Sequence, residues 1–542
     1  MTNERAASGW DSLPGAESID GVWAPNRGPV YGKRYAVATD QPIASLTAME
    51  VMQKGGNAAD AIIAASAVNI VTKPYFTQLG GDAFSLIWRR SDNAIDGLNA
   101  GGRAPQKATA ERYGDGIPTR GVLTNTIPSY VDGLLEMHTR YATLSIDTLL
   151  APAIRLCEEG FAVPMRFSGA MERLNRLQGR EFDEIKRVFL KDGKAYAPGE
   201  VLRQPELGAS LQRIVDEGRE GFYEGETADL ILKAMSEFGG LIEKKDLAQE
   251  QAHWQEPIMT TFGGCDVYEQ PLPSQGIVML MALNIVENFP LAEWGIGSPD
   301  ALHVMIEATR LAFADSRRYA ADPDFEDVPV EALLSKDFGR RRAAEIDITR
   351  AKMPAPASLG SDTTEFVAGD ADMAIAFIQT VFSGWGSAFM IPGAGILMTD
   401  RMRGFSLEPG AANRLVPGKR TVHTLNTFFA LRDGEVVLAG GTPGRDFQVQ
   451  NNMQTLVGHL CWGLNPQQAV DMPRWVTFGD KIAVEARFPD AVLSNLEGRG
   501  HKLLRLAQWD GAIARSQIIA GTPGGGWAVA SDLRGDGVAL AV

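Results

Sequence analysis

Apolar residues recur at helical spacing in the first ordered part of the chain. The segment ASLTAMEVMQ, which begins at Ala44, has helical periodicity and ends at Lys54-Gly55-Gly56, a typical C-terminal cap. The segment Ala58–Val71 is almost wholly apolar, which predicts a buried helix. Ala83–Trp88 follows a glycine pair and predicts a strand. Residues 1–34 are polar and rich in Pro and Gly, and we expect an extended N-terminal arm there.

Residues 120–350 have a mostly helical pattern. The clearest helix follows Ser298, which can cap the N-terminus, and Pro299, which suits the first helical position. Leu302 and Met305 begin an apolar stripe along one face of this segment. The pattern is that of an amphipathic packing helix.

The chain after residue 362 alternates short apolar strands with turns. A first hairpin turning at Ala371–Asp372 would place Thr363 opposite, or diagonally next to, Thr380. Taken alone, Thr363 is more typical of a strand entry than of a catalytic residue. The register nevertheless predicts two hydroxyls at one end of a hairpin.

A second hairpin is predicted by Asp433-Gly434, a strong two-residue turn signal. Without a bulge, this hairpin would set Gly444 against His423 and Pro443 against Thr424. A helix is expected from Phe447 to Leu460. The open end of the hairpin would then carry a turn with backbone N–H groups.

Length, composition and charge exclude several classes of protein. The 542 residues are 45% hydrophobic, enough to bury a large core, and a rule of about 150 residues per domain suggests three or four domains. The net charge of −15 disfavours binding to nucleic acid or to anionic membranes. Three widely separated cysteines indicate a reducing compartment, and the sequence contains neither a leader pattern nor an apolar run of membrane length. We expect a soluble, cytoplasmic protein.

Metal and nucleotide chemistry have no motif in this sequence. The six histidines show no HExxH spacing, and no Cys/His group has zinc-ligand spacing. The sequence also has no Walker A loop and no GxSxG elbow. We therefore predict neither a metal nor a cofactor.

Several motifs occur in a fixed order from about Tyr35 to the C-terminus. They are KGGNAADA from Lys54, GGDAF from Gly80, IEATRLAFADSRRYAADP from Ile306, Asp362-Thr363-Thr364, and Gly441-Thr442-Pro443-Gly444. In this order they resemble the γ-glutamyltransferase family of N-terminal-nucleophile hydrolases, and the order makes the resemblance specific.

The resemblance implies a fold and a maturation step. Members of the family form an α+β, four-layer αββα sandwich and cleave themselves before a threonine, which here is Thr363, with Asp362 on the other side of the cut. The products would be a heavy chain, residues 35–362 plus the arm, and a light chain, residues 363–542. Both would belong to one fold, so the expected domain count falls to one. The two chains would stay associated, and further dimerisation is possible.

The resemblance also assigns catalytic roles. Thr363 would be the nucleophile, and its freed α-amino group, with an ordinary pKa of about 7.7–8.0, would serve as the base. Thr380 matches the residue that orients the nucleophile, in agreement with the hairpin register. The backbone N–H groups of Gly444 and Arg445 match the oxyanion hole.

The substrate-binding positions depart from the family pattern. The arginine that clamps the substrate carboxylate is moved or missing: its position is at about Gly101, and the nearest arginine is Arg103. Gly404 replaces an aspartate that binds the α-amino group, Phe382 replaces an asparagine, and His423 and Thr424 match paired serines. An unpaired buried ammonium costs several kcal/mol. We therefore predict a small-molecule amide substrate without an α-amine, cleaved by an oxamate amidohydrolase-like or acylase-like enzyme.

Two alternatives stay open. A true γ-glutamyltransferase or glutathione hydrolase could bind its substrate differently, with Arg103 turned into the carboxylate clamp. An unprocessed, inactive homologue could instead act as a binding module, because Glu365 stands where the family often has histidine.

Overall fold

The architecture was obtained as a computed structural model that describes residues 27–114, 116–352 and 363–542. Most of the predicted N-terminal arm and Asp362 lie outside the described residues. Two seven-stranded sheets form the centre of the molecule.

The first sheet carries the start of the predicted light chain. Its strands are antiparallel, and Thr364–Gly369 pairs with Met373–Thr380 on one side and with Ala36–Thr39 on the other. In spatial order the strands are Val538–Ala541, Ala36–Thr39, Thr364–Gly369, Met373–Thr380, Asp82–Arg89, Ile95–Ala100 and His253–Gln255.

The second sheet carries the predicted oxyanion turn at the end of one strand. In spatial order its strands are Val30–Gly32, Trp527–Ser531, Gln517–Gly521, Glu435–Gly441, Phe428–Arg432, Cys265–Glu269 and Ile258–Phe262. The end of the predicted arm therefore forms an edge strand here, with Val30 paired to Val529.

Apolar side chains fill the space between the sheets and both outer faces. Val367, Ala376, Phe429, Ala439 and Trp527 belong to the core between the sheets. One helical layer packs on the first sheet and comprises mainly Pro42–Gln53, Ala58–Thr72, Tyr130–Tyr141, Ile146–Glu159, Met165–Glu172, Asp183–Phe189, Pro205–Glu217 and Glu226–Phe238. The other packs on the second sheet and comprises mainly Gly276–Val286, Pro299–Tyr319, Lys336–Ala343, Phe447–Leu460, Pro466–Asp471 and Asp490–Gly498. The predicted α+β, four-layer αββα sandwich is confirmed.

Smaller elements complete the described part of the chain. A three-stranded sheet contains Trp475–Phe478, Lys481–Glu485 and Lys502–Leu506, and three strand pairs have two residues each: Met390–Ile391 with Ile396–Leu397, Phe161–Ala162 with Val201–Leu202, and Leu190–Lys191 with Lys194–Ala195. Short helices are Ala110–Tyr113, Glu220–Tyr223, Lys244–Ala248, Leu291–Trp294 and Val330–Leu334, with 3-10 turns at Val122–Thr124, Arg173–Arg176, Arg180–Phe182 and Arg401–Gly404. Across the three described ranges, no helix is both long enough and apolar enough to span a bilayer.

The predicted helices begin at the capping residues that the sequence indicated. Ser298 accepts a hydrogen bond from Ala301 N at the start of Pro299–Tyr319, and the apolar helix Ala58–Thr72 is buried along its whole length. Phe447–Leu460 has the predicted bounds. These helices are local in sequence, which explains why their pattern was sufficient.

The two hairpins differ in how well the turn fixed the register. In the first, Thr364 pairs with Gln379, which is the predicted register, so Thr363 and Thr380 share one end. The second turns at Asp433-Gly434 as expected, but a bulge between Ala430 and Leu431 shifts the pairing by one residue. The strand also begins only at Phe428, so the predicted pairing of His423 with Gly444 and of Thr424 with Pro443 is wrong.

Candidate functional site

Thr363 lies buried at the entry to the central strand pair of the first sheet. Its side chain is 1% exposed, and its Oγ1 lies 3.4 Å from Thr380 Oγ1. Gln448 Nε2 donates to the same oxygen at 3.4 Å. Both distances are at the long end of the range for hydrogen bonds. The hydroxyl of Thr363 is thus surrounded by polar groups that can orient it.

Thr380 is held by the strand and by the chain that follows it. Its Oγ1 accepts a hydrogen bond from Phe382 N at 2.8 Å. Gly81 lies against the carbonyl of Thr380, where a Cβ would come within 2.2 Å of the oxygen. A side chain at residue 81 would therefore displace Thr380, which explains the glycine pair before the neighbouring strand.

Sequence reasoning missed Gln448, the second residue of the helix Phe447–Leu460. Its Oε1 accepts hydrogen bonds from Asn426 N and Nδ2 at 3.3 and 3.1 Å, which leaves Nε2 to face Thr363. Asn452, one turn further, donates to Asn426 Oδ1 at 2.8 Å. The signal in the sequence is the polar run QVQNNMQ within a helix that the structure buries.

The turn after Glu435–Gly441 has an uncommon backbone conformation at Gly444 and Arg445. Gly444 has φ +138° and Arg445 has φ +52°, so two successive residues leave the usual helical and extended regions. Gln275 Nε2 donates to Arg445 O at 2.9 Å and fixes the turn from the neighbouring helix. The helix Phe447–Leu460 begins immediately afterwards.

A cavity of about 400 Å³ opens beside this turn. Four predicted substrate-site or oxyanion residues line it: Phe382, Gly404, Thr424 and Arg445. Further lining residues include Arg317, Arg403 and Asp446. Thr363 does not line the cavity, but Thr380 connects the two through its bond to Phe382 N. The cavity has three arginines and one aspartate in its wall, so it is locally basic within an acidic protein.

Phe382 lies between two guanidinium groups. The Cζ atoms of Arg401 and Arg445 are 4.0 and 4.2 Å from the centre of its ring, within the range of cation–π contact. Phe382 has φ +76°, a strained value for a residue with a side chain. The two guanidinium groups therefore hold the ring in place at the wall of the cavity.

His423 belongs to a buried polar cluster behind this ring. Its Nδ1 accepts from Leu425 N at 3.2 Å, so Nε2 carries the hydrogen and faces Asp82 Oδ2 at 3.2 Å. Burial and the charge of Arg401 lower the pKa of His423 to about 4, so the ring is neutral at pH 7. Burial raises the pKa of Asp82, but His423 and Arg401 outweigh it and hold this pKa below its usual value.

Arg103 does not join this cavity. Its Nη2 lies 3.0 Å from His253 Nε2, and its charge acts on the buried carboxyl of Glu250. The γ-glutamyltransferase alternative of the sequence analysis, in which Arg103 clamps a carboxylate, would require this side chain to leave His253.

Two buried carboxyls interact near the start of the strand Thr364–Gly369. Glu365, two residues beyond Thr363, and Glu269 are both fully buried and form no ion pair within the described residues. Gly441 packs against Glu365, because a Cβ there would come within 2.8 Å of the carboxyl. Burial, reinforced by the charge of Glu269, raises the pKa of Glu365 well above its usual range.

One group of metal-ligand type lies elsewhere. Atoms of His303, Glu307 and His501 lie within 4.8 Å of one another, although the sequence spacing did not indicate it. Their polar atoms already have protein partners: His303 Nδ1 contacts His501 Nε2 at 2.8 Å, and Glu307 pairs with Arg310 at 2.7 Å. Glu307 also accepts from Lys352 N at 3.1 Å. Through the bond from Lys352 N to Glu307, the group holds the backbone of the chain in place just before residue 353.

The chain is similar to known proteins over almost its whole length. The family model described as Gamma-glutamyltranspeptidase matches residues 44–542. Among curated relatives, the Glutathione hydrolase-like YwrD proenzyme of Bacillus subtilis is 33% identical over 95% of this chain and 99% of its own length. The Oxamate amidohydrolase proenzyme of Klebsiella pneumoniae is 30% identical over 92% of this chain and 96% of its own.

A solved structure with the same architecture is the cephalosporin acylase from Bacillus halodurans. It has a TM-score of 0.90 and 35% identity, and the match covers 97% of this chain and 99% of that one.

Proposed function

Since this chain belongs to the gamma-glutamyltranspeptidase family and is an enzyme of its hydrolase and acyltransferase class, we propose that it is a self-processed amidohydrolase with Thr363 as nucleophile. The proposal assigns maturation and turnover to one hydroxyl. It is supported by the position of Thr363 Oγ1 between Thr380 and Gln448.

In maturation, the Thr363 hydroxyl would attack the carbonyl carbon of Asp362. The peptide C–N bond breaks, the nitrogen takes a proton, and an ester joins Asp362 to Thr363. Water then hydrolyses this ester and frees the α-amino group of Thr363. The cut would divide the 542 residues into 362 and 180.

In turnover, the α-amino group accepts the hydroxyl proton while Oγ1 attacks the substrate amide. The amides of Gly444 and Arg445 would stabilise the oxyanion, for which a single donor is typically worth about 3–4 kcal/mol. The leaving amine takes the proton, and water releases the acid from the acyl-enzyme. Thr380 and Gln448 are positioned to orient Oγ1 in both reactions.

The positive charge of the cavity wall is the observation that supports the proposed class of substrate. Arg317, Arg403 and Arg445 suit a carboxylate or other anionic acyl group, and Gly404 offers no carboxylate to an α-amine. We therefore assign an amide of a small acid without an α-amine as the substrate, in the manner of an oxamate amidohydrolase or an acylase.

Glutathione hydrolysis is the second candidate. Asp446 lines the same cavity and could pair with an α-ammonium group, and one relative is named as glutathione hydrolase-like. A substrate panel of oxamate, succinamate and a γ-glutamyl anilide separates the two functions. Preferential turnover of the anilide would refute the small-acid assignment.

Denaturing electrophoresis tests the maturation step. We expect two bands in the wild type and one in Thr363→Ala, with all activity lost in the variant. Thr364→Ala is the matched control, because Thr364 is the adjacent buried threonine and bonds only to Gln379 O, at 3.4 Å, in the hydrogen bonds described. A single uncut, inactive band in the wild type would favour the binding-module alternative.

A further inference from the structure

Asp82 is a fully buried carboxyl at the start of the strand Asp82–Arg89, and it takes no part in the reaction proposed above. It is the acid of the GGDAF motif. In the register of the first sheet it lies directly opposite Thr380. Cross-strand partners project to the same face of a sheet, so Asp82 lies on the same side of the sheet as the hydroxyl that faces the nucleophile.

Both oxygens of Asp82 face polar partners. Oδ1 accepts a hydrogen bond from Gly102 N at 2.9 Å, and Oδ2 lies 3.4 Å from Arg401 Nε and 3.2 Å from His423 Nε2. Arg401 is itself buried, and a buried guanidinium is costly unless a carboxylate compensates its charge. Among the ion pairs of the described residues, Asp82 is the carboxylate that does so.

Arg401 in turn contacts the ring of Phe382. Its Cζ atom lies 4.0 Å from the centre of that ring, and both side chains are buried. The attraction between a cation and an aromatic face is stronger when both groups are removed from water. A carboxylate that fixes the guanidinium therefore also fixes the ring.

The backbone of Phe382 acts on the nucleophile pair. Phe382 N donates to Thr380 Oγ1 at 2.8 Å, and the same oxygen lies 3.4 Å from Thr363 Oγ1. Phe382 has φ +76°, a strained value that persists only where the surroundings hold it. Ser383 N, the next amide, donates to Asp400 Oδ1 at 2.8 Å and holds the following residue. Loss of the ring contact would let the strained residue relax and would weaken its bond to Thr380.

We propose that Asp82 is a positioning residue, which acts through Arg401 to hold the ring of Phe382. The ring fixes the bond from the Phe382 amide to Thr380, and that bond fixes the hydroxyl beside Thr363. The inference rests on the assignment of Thr363 as nucleophile. Asp82 does not line the candidate active-site cavity, so its loss should slow the chemical step and leave substrate affinity unchanged.

Asp82→Asn tests this role in the full-length enzyme. The amide keeps an oxygen for Gly102 N but loses the charge that pairs with Arg401. With whichever amide of the substrate panel the wild type cleaves fastest, we expect kcat per cut molecule to fall about tenfold to hundredfold. KM should stay within about twofold. An unchanged kcat, or a loss confined to KM, would overturn the proposal.

Asp132→Asn is the matched control. Asp132 is also buried and pairs with an arginine, Arg219, at 2.8 Å, but its helix Tyr130–Tyr141 carries none of the candidate site residues. This variant should lower Tm and leave kcat unchanged. A merely structural role for Asp82 predicts the same pattern, so equal effects of the two substitutions on kcat would contradict the positioning role.

A double-mutant cycle with Phe382→Leu tests the route. Leucine removes the aromatic face but keeps the backbone N–H that bonds to Thr380. If Asp82 acts through the ring, Asp82→Asn should change kcat by no more than about twofold in the Phe382→Leu background. Fully additive losses would refute this route.

Two further outcomes keep the test decisive. If Asp82→Asn does not fold, the double variant Asp82→Asn with Arg401→Met removes both buried charges, and it should show the same loss of kcat; a wild-type kcat there would contradict the proposal. A wild type that stays uncut and inactive would overturn the proposed function and this inference together. A cut, active wild type with an Asp82→Asn variant of equal kcat would overturn the positioning role alone.

Discussion

Replacing Glu365 with glutamine tests whether the carboxyl beside the nucleophile is neutral in the folded protein. Glu365 is fully buried and has Glu269 as a like-charged neighbour, which raises its pKa well above the usual range. Glutamine has the same shape as the protonated acid. We expect Glu365→Gln to mature and to turn over substrate, because the amide replaces a carboxyl that carries no charge in the fold.

The effect on stability has a definite sign. An acid whose pKa is raised by folding binds more protons in the folded state, so its contribution to stability falls as pH rises above the unfolded value of about 4.3. If Glu365 stays protonated, each pH unit above the unfolded value lowers the stability by the usual linkage increment, so its cost grows by about 2–3 kcal/mol between pH 5.5 and pH 7.5. Glutamine does not titrate, so the variant should gain about 2–3 kcal/mol relative to the wild type between these pH values.

Thermal unfolding measures this difference. A chain of 542 residues has an unfolding entropy of about 1.1 kcal/mol/K, so the expected gain is about 2 °C in Tm. Both proteins would carry Thr363→Ala so that every sample is uncut. Any cost of burying the amide is the same at both pH values and cancels in the comparison.

The control is Glu497→Gln, because Glu497 is exposed on a helix of the outer layer. It should shift Tm by the same small amount at both pH values. A Glu365→Gln shift that is equal at pH 5.5 and 7.5, or that is more unfavourable at pH 7.5, would mean that Glu365 is ionised in the fold.

Two further predictions concern the nucleophile and the cavity. Thr380→Val should lower kcat about tenfold to hundredfold with little change in KM, because it removes the hydroxyl that orients Thr363. Thr380→Ser keeps that hydroxyl and should retain most of the activity. Steady-state kinetics measures both variants, and equal losses of kcat in the two would contradict the orienting role. Gly404→Asp alone should lower the free energy of unfolding by about 1–3 kcal/mol, because a Cβ there would lie 2.7 Å from Thr421 Oγ1. Combining it with Thr421→Ala should restore the Tm and raise kcat/KM for a γ-glutamyl anilide relative to kcat/KM for succinamate. If the double variant leaves this ratio of kcat/KM values unchanged, Gly404 does not set specificity.

Local signals in the sequence were sufficient for several parts of the site. A short turn with no bulge fixed the register of the first hairpin, so Thr363 and Thr380 could be paired by counting residues. The turn at Gly444 and the helix that follows it were equally local.

Long-range contacts were not accessible in the same way. The bulge at Ala430 has no sequence signal that the hairpin rule uses, and it broke the predicted pairing of His423. Gln448 reaches Thr363, and Glu269 reaches Glu365, from elements that are distant in sequence. Arg103, in contrast, was close in sequence to the expected position but lies against His253.

The order of strands in the first sheet bears on how the two proposed chains would stay together. Ala36–Thr39, from the heavy chain, lies between Thr364–Gly369 and Val538–Ala541, both from the light chain. Cleavage would therefore leave two polypeptides whose strands alternate within one hydrogen-bonded sheet. They could not part on dilution as ordinary subunits do, because separating them would require stripping a strand from the middle of the sheet. The cut enzyme would behave, in concentration dependence and in unfolding, as a single molecule with an extra pair of ends.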